Sequence, residues 1–293
     1  MRDTARNMNV AVKQMPNAWF RRSHEEFMLA HPAETEMPWC DIGAVRFLNE
    51  VRFEYACSLL GVYRDDDHTY VVTTLASEGD LFSWCEQPQP ADMNREVLVH
   101  PLACQILKGV QQLHDFDIVH RDLSLENILL TRGSDGKLHV QIIDFGTAST
   151  TRFFKKSVTG KASYQAPELH TGDQYDAFLS DAFSLGVTLY AIIVQDYPWL
   201  STRPGGCKCF EYVRKRGFLQ YLDKRKLRNS EQKIGQVISE ELQQLLGGLL
   251  AFNPDERLTL GERAWEEEPS ARKRGSVWDA TWLRDGPPVT VVP

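Results

Sequence analysis

The stretch His120-Arg121-Asp122-Leu123-Ser124-Leu125-Glu126-Asn127 sets a carboxylate and a carboxamide five residues apart and runs directly into the apolar Ile128-Leu129-Leu130. Just downstream, Val140-Gln141-Ile142-Ile143 reads as a strand that delivers Asp144-Phe145-Gly146, with Gly146 allowing a sharp turn. Ala166-Pro167-Glu168 comes next, then Asp181-Ala182-Phe183-Ser184-Leu185-Gly186 at the head of a run that stays apolar to Val194, which predicts a helix buried on all sides. Any one of the short motifs could arise by chance. Three of them in this order are specific.

The ordered set resembles the signature of eukaryotic-type protein kinases. That resemblance implies an α+β, bilobal fold. It has a small antiparallel β N-terminal lobe, incomplete here, over residues 1–76 and a larger, mainly α-helical C-terminal lobe over 77–265. Residues 266–293 are expected as a tail, loosely ordered or wrapped on the periphery. The implied activity is transfer of the ATP γ-phosphate to Ser/Thr hydroxyls of protein substrates, with ATP and Mg²⁺ as cofactors. Phosphoryl transfer asks the protein for in-line positioning and charge neutralisation rather than covalent chemistry. By resemblance, Asp122 orients the attacking hydroxyl and accepts its proton, while Asn127 and Asp144 are hard oxygen ligands for Mg²⁺. The bland reading of these three is a set of turn-capping residues. Asp181 is expected to hold the catalytic loop, and Arg257 to pair with Glu168. This last pair favours a protein substrate over a small-molecule one.

The nucleotide site is placed by Tyr70-Val71-Val72-Thr73-Thr74-Leu75-Ala76. Thr73 is implied at the back of the adenine pocket, backbone groups of Thr74 and Ala76 at the adenine edge, Asp80 at the ribose and Leu129 as the floor. Leu129 serves equally as a core leucine. Val10-Ala11-Val12-Lys13 resembles the strand whose lysine holds the α- and β-phosphates, making Lys13 both a catalytic and a cofactor-binding residue.

Three features depart from the family pattern. The twelve residues before Lys13 contain no glycine, so the Gly-rich loop and its flanking strands are expected to be absent from this chain. This opens the alternative of a pseudokinase or scaffold with weak or no turnover. The acidic partner of Lys13 is either Glu50 or Asp41, with the helical register favouring Asp41. Ser124 stands where Ser/Thr kinases carry a lysine that touches the γ-phosphate, while Lys161 stands where they carry a threonine. Because those two positions are spatial neighbours in the family, Lys161 is expected to supply the missing ammonium.

Arg121 precedes Asp122 and is implied to grip a phosphate on the activation segment between Asp144 and Glu168, where seven Ser and Thr hydroxyls lie. Glu126 resembles an acid that reads an arginine on the substrate. With a net charge of −7 this hints at a basic substrate and argues against a nucleic-acid partner. The chain has 42% hydrophobic and 25% charged residues, enough apolar content for a sizeable core. Its six cysteines show no zinc-type spacing, and Cys207-Lys208-Cys209 reads as a coincidental loop pair. With no apolar leader and no run read as reaching about 18 apolar residues, the expected location is cytoplasmic or nuclear, without a membrane partner.

Overall fold

A computed structural model of the chain describes residues 1–20, 23–34, 36–87, 94–266 and 274–288. A small sheet opens the chain, with strands β1 (Arg2–Asp3), β2 (Met8–Pro16), β3 (Leu59–Arg64) and β4 (His68–Thr74) in the antiparallel order β1-β2-β4-β3. Strand β4, His-Thr-Tyr-Val-Val-Thr-Thr, is rich in β-branched residues and sits between two partners, with Thr69 and Val71 buried on one face. Its register puts Lys13 opposite Val71 and Val10 opposite Thr74. The lysine strand is thus longer than the brief Val10–Val12 run suggested. The expectation that no flanking strand precedes it is also corrected, since Arg2 and Asp3 pair with Asn9 and Met8 across a turn in which Asn7 takes a positive φ.

Between β2 and β3 the chain forms α1 (His24–Ala30) and α2 (Pro38–Glu50). Ser23 caps α1 by accepting the Glu26 N–H, and Pro38 opens α2, where its missing N–H costs nothing. The segment between β2 and β3 is therefore partly helical. It is pinned by edge-to-face contacts of Phe27 with Trp19 and Trp39.

The larger lobe contains α3 (Leu81–Glu86), α4 (Arg95–Asp115), the hairpin β5 (Ile128–Arg132)/β6 (Leu138–Ile142) and the hairpin β7 (Phe153–Lys155)/β8 (Gln174–Asp176). These are followed by α5 (Ala177–Val194), α6 (Lys208–Arg216), α7 (Phe218–Leu222), α8 (Ile234–Val237), α9 (Glu240–Leu249), α10 (Arg263–Glu266) and α11 (Thr281–Asp285). Every residue of α5 is buried, as its unbroken apolar character requires. This helix is long and apolar enough to cross a membrane, but it forms the centre of the C-terminal lobe. A Cβ on Gly186 would come within 2.8–3.0 Å of Leu249 and Leu250, so the absence of a side chain is what lets α5 and α9 pack closely.

Residues 274–288 show the wrap, not the loose tail. Val277, Trp282 and Leu283 are buried, and Trp282 Nε1 donates to Glu96 Oε2 at 2.8 Å. The same buried Glu96 accepts the backbone N–H and the hydroxyl of Ser239 at 2.7 Å each, tying α11 and α9 to α4. Residues 267–273 and 289–293 of the expected tail lie outside the described residues.

Candidate active site

The catalytic loop is held from behind by Asp181, near the start of α5. Its Oδ2 accepts the His120 N–H at 2.8 Å and its Oδ1 the Arg121 N–H at 2.9 Å. His114 of α4 donates to the same carboxylate at 3.1 Å and reaches Glu262 at 2.8 Å with its other nitrogen. Burial opposes charge on His114, but the two carboxylates outweigh it and raise its pKa to about 9. Two non-glycine residues of the site, Arg121 (φ 68) and Asp144 (φ 66), occupy left-handed backbone, a strain that such anchoring sustains.

Within the loop, Asn127 Nδ2 donates to the Asp122 carbonyl at 2.8 Å and to its Oδ2 at 3.1 Å. The amide thereby fixes the carboxylate, while Asp122 Oδ1 is buried without a hydrogen-bond partner. Burial raises the Asp122 pKa, against the pull of His120, Lys161 and the Asn127 hydrogen bond. An orphaned buried acceptor of this kind fits an incoming hydroxyl.

Lys13 on β2 lies 2.9 Å from Asp144 Oδ1 and 3.1 Å from Asp41 Oδ2. Burial works against its charge, but Asp41 and Asp144 keep the Lys13 pKa above its ordinary value. Asp41, 4% exposed, has a second task, since its Oδ1 accepts the Phe145 N–H at 2.9 Å. Of the two acids considered for Lys13, Asp41 is thus the one in contact. Glu50 points outward and pairs with Arg46 at 2.9 Å. Sequence reasoning missed Glu36, whose Oε2 is 3.9 Å from Lys13. It comes from the irregular run before α2, where Met37 N–H bonds Gly146 O and the Glu36 side chain lies against Gly146. No periodicity or motif could have signalled it.

Lys161 donates to Ser124 Oγ at 2.8 Å and lies 3.0 Å from Glu126. Gly160, at φ +80, brings the activation segment against this loop, because a Cβ there would meet Arg121 O at 2.9 Å and Asp122 Oδ1 at 3.3 Å. Glu126, expected to read a substrate arginine, is already engaged. Arg121 Nη2 donates to Ser157 Oγ at 2.6 Å, with its guanidinium 3.9 Å above the Phe154 ring.

Between the lobes is a cavity of about 450 Å³ whose lining includes Ala11, Val71, Thr73, Ala76, Leu129 and Ile142, with Lys13, Asp41 and Asp144 at one end. Thr74 and Asp80 also line it. Its walls are mostly apolar, which suits a flat heteroaromatic ring. The Thr74 N–H is spent on Ser58 O, whereas Ala76 makes no backbone hydrogen bond among the described residues. Asp80 caps α3 by accepting the Ser83 N–H and hydroxyl, so the bland capping role accompanies its place at the cavity. Among the described residues no group of three or more His, Cys, Asp or Glu could hold a metal. A Mg²⁺ bound through one carboxylate, one amide oxygen and nucleotide phosphates needs no such group.

Behind the site, Arg257 (1% exposed) forms two hydrogen bonds to Glu168, at 2.5 and 2.9 Å, and also bonds the Leu179 and Ala251 carbonyls. Both charges are therefore compensated.

Comparison with known proteins gives the same picture. The family model for the protein kinase domain matches residues 3–267. The serine/threonine-protein kinase SRK2F of Arabidopsis thaliana is 33% identical over 212 residues, covering 69% of this chain and 54% of its own length. The serine/threonine-protein kinase SAPK4 of Oryza sativa subsp. japonica is 29% identical over 205 residues, covering 67% and 51%. The serine/threonine-protein kinase ppk21 of Schizosaccharomyces pombe is 28% identical over 243 residues, covering 79% and 39%. The chain spans about half or less of the length of these relatives. The catalytic loop, the Asp144 turn and the Glu168–Arg257 pair all lie within that match, and the chain belongs to the protein kinase domain family.

Proposed function

We propose that this chain is the catalytic unit of a protein kinase that transfers the γ-phosphate of ATP, with Mg²⁺, to Ser/Thr hydroxyls of protein substrates. The observation that carries the reading is the unpartnered, buried Asp122 Oδ1, fixed by Asn127 beside the cavity where Lys13 meets Asp144. When bound, Mg·ATP supplies the transferable phosphoryl group. Ala76 offers its free backbone groups to the adenine edge, Thr73 and Leu129 enclose the ring, and Asp80 faces the ribose. Asp144 and the Asn127 oxygen hold the metal, and Lys13, steadied by Asp41, holds phosphate oxygens. Asp122 accepts the substrate hydroxyl's proton at Oδ1. Its raised pKa makes it a better acceptor than an exposed carboxylate.

Lys161 brings to Ser124 an ammonium that the catalytic loop itself lacks, so one cation of the site arrives with the activation segment. Of that segment's hydroxyls, Ser157 is the one bonded to the Arg121 guanidinium, and a phosphate there would meet a cation already in place. The pseudokinase alternative gains no support from these contacts. The reading is tested by incubating the protein with γ-³²P-labelled ATP, Mg²⁺ and a mixed protein substrate. Label in phosphoserine or phosphothreonine, lost in Asp122→Asn, is the expected result, and label independent of Asp122 would refute it.

A further inference from the structure

The net charge of −7 is not spread evenly. Between Lys208 and Lys233 lie nine lysines and arginines against three acids, in a chain of 33 against 40. This segment makes α6, α7 and the turn into α8. Three of its cations are paired, Arg214 with Glu211, Arg225 with Asp196 and Lys226 with Glu231. Lys208, Lys215, Arg216, Lys224, Arg228 and Lys233 are exposed and in no ion pair among the described residues. They form one face. Lys224 Nζ sits 5.4 Å above the Tyr212 ring of α6, and the Lys226 and Lys233 backbones bridge.

The bland explanation is that cations favour the C-terminal end of a helix, where carbonyl dipoles converge. It covers Lys215 and Arg216 at the end of α6 and Lys224 just after α7, but not Arg228, nor Lys233 at the N-cap of α8. Exposed Leu219 on α7 lies in the chain between Arg216 and Lys224, and exposed Val237 on α8 lies four residues after Lys233, which suits a peptide of acids and leucines better than a phosphodiester backbone. The remaining surface is acidic and opposes a long polyanion.

The face is also joined to the activation segment. Trp199 Nε1 donates to Ser163 O at 3.0 Å, Thr202 Oγ1 to Gln165 O at 2.8 Å, and the Leu200 N–H to Cys207 Sγ, where α6 begins, at 3.5 Å. We propose that the α6–α8 face is a docking surface for an acidic, leucine-bearing segment of the protein substrate, a reading that rests on the kinase activity proposed above. Docking there places a phosphoacceptor near Asp122 while its affinity comes from elsewhere.

The test is fluorescence anisotropy with a labelled peptide of Glu, Asp and two Leu, beside an oligouridylate of equal length and phosphatidylserine vesicles. The peptide is expected to bind, to weaken as salt is added, and to weaken about tenfold in Lys215→Glu/Arg216→Glu/Lys224→Glu, while the other probes bind less tightly. The proposal is overturned if the peptide does not bind, if the variant binds it equally, or if oligouridylate or vesicles bind more tightly. A kinetic arm separates the two readings. Fused to a phosphoacceptor peptide, the acidic segment lowers KM and leaves kcat unchanged, and the variant loses that gain. If the bare acceptor is phosphorylated and the fusion gains nothing, the docking surface falls and the kinase reading stands. Peptide binding without transfer to any acceptor overturns the kinase reading instead.

Discussion

At Ser124 the catalytic loop carries a hydroxyl, and the nearest ammonium, that of Lys161, arrives from the activation segment 2.8 Å away. A point charge on a flexible stem can serve one locus from either side. Lys161→Thr is therefore expected to lower kcat about 10²-fold, and adding Ser124→Lys to recover most of it. Steady-state kinetics check this, and failure of the double variant to recover would leave Lys161 a structural role. Asp41 and Glu50 give a second contrast. Asp41→Ala should lower kcat/KM for ATP at least about tenfold through Lys13, and Glu50→Ala should leave it within error. Asp41 was legible in the sequence only as one of two registers, because a helix face is fixed by packing as much as by spacing. Glu36 was not legible at all, since its position follows from a backbone bond between Met37 and Gly146.

Among the elements, α5 takes the most weight, because it carries Asp181 and packs α9 against its far side. Its apolar run announced it in the sequence. His114 did not stand out, because its meaning lies in two carboxylates at 67 and 148 residues' separation. With a pKa of about 9 in the folded protein against 6.5 for an ordinary histidine, its charged form stabilises the fold fully below about pH 6.5. That contribution fades as pH rises toward and through 9. The unfolding free energy from urea titration should accordingly fall between pH 6 and 9.5 by an amount on the order of a few kcal/mol, and the fall should shrink in His114→Gln. The Glu168–Arg257 pair was legible as a motif relation and is a tight contact in the fold. Arg257→Ala strands a nearly buried carboxylate and should cost about 3–5 kcal/mol by chemical denaturation.

For the whole molecule, the bilobal plan was readable because the chemistry-bearing motifs also mark its junctions. The Asp144 turn, Leu129 just past the catalytic loop and the Ala76 segment all border one cleft. The C-terminal wrap was harder to read, because Val277, Trp282 and Leu283 are scattered among polar residues and become a core element only against α4 and α9. The distribution of charge was likewise hidden by its sum. All these features serve the proposed reading, that two lobes bring Asp144 as metal ligand and Lys13 as phosphate ligand to one cavity with Asp122 beside it as general base. Its most direct test measures Mg·ATP binding and ³²P transfer side by side in the wild-type chain and Asp122→Asn. The arrangement predicts similar nucleotide affinity in both, with transfer about 10²–10⁴-fold slower in the variant. Equal transfer by the two proteins, or wild-type protein that binds Mg·ATP and transfers nothing, would contradict it.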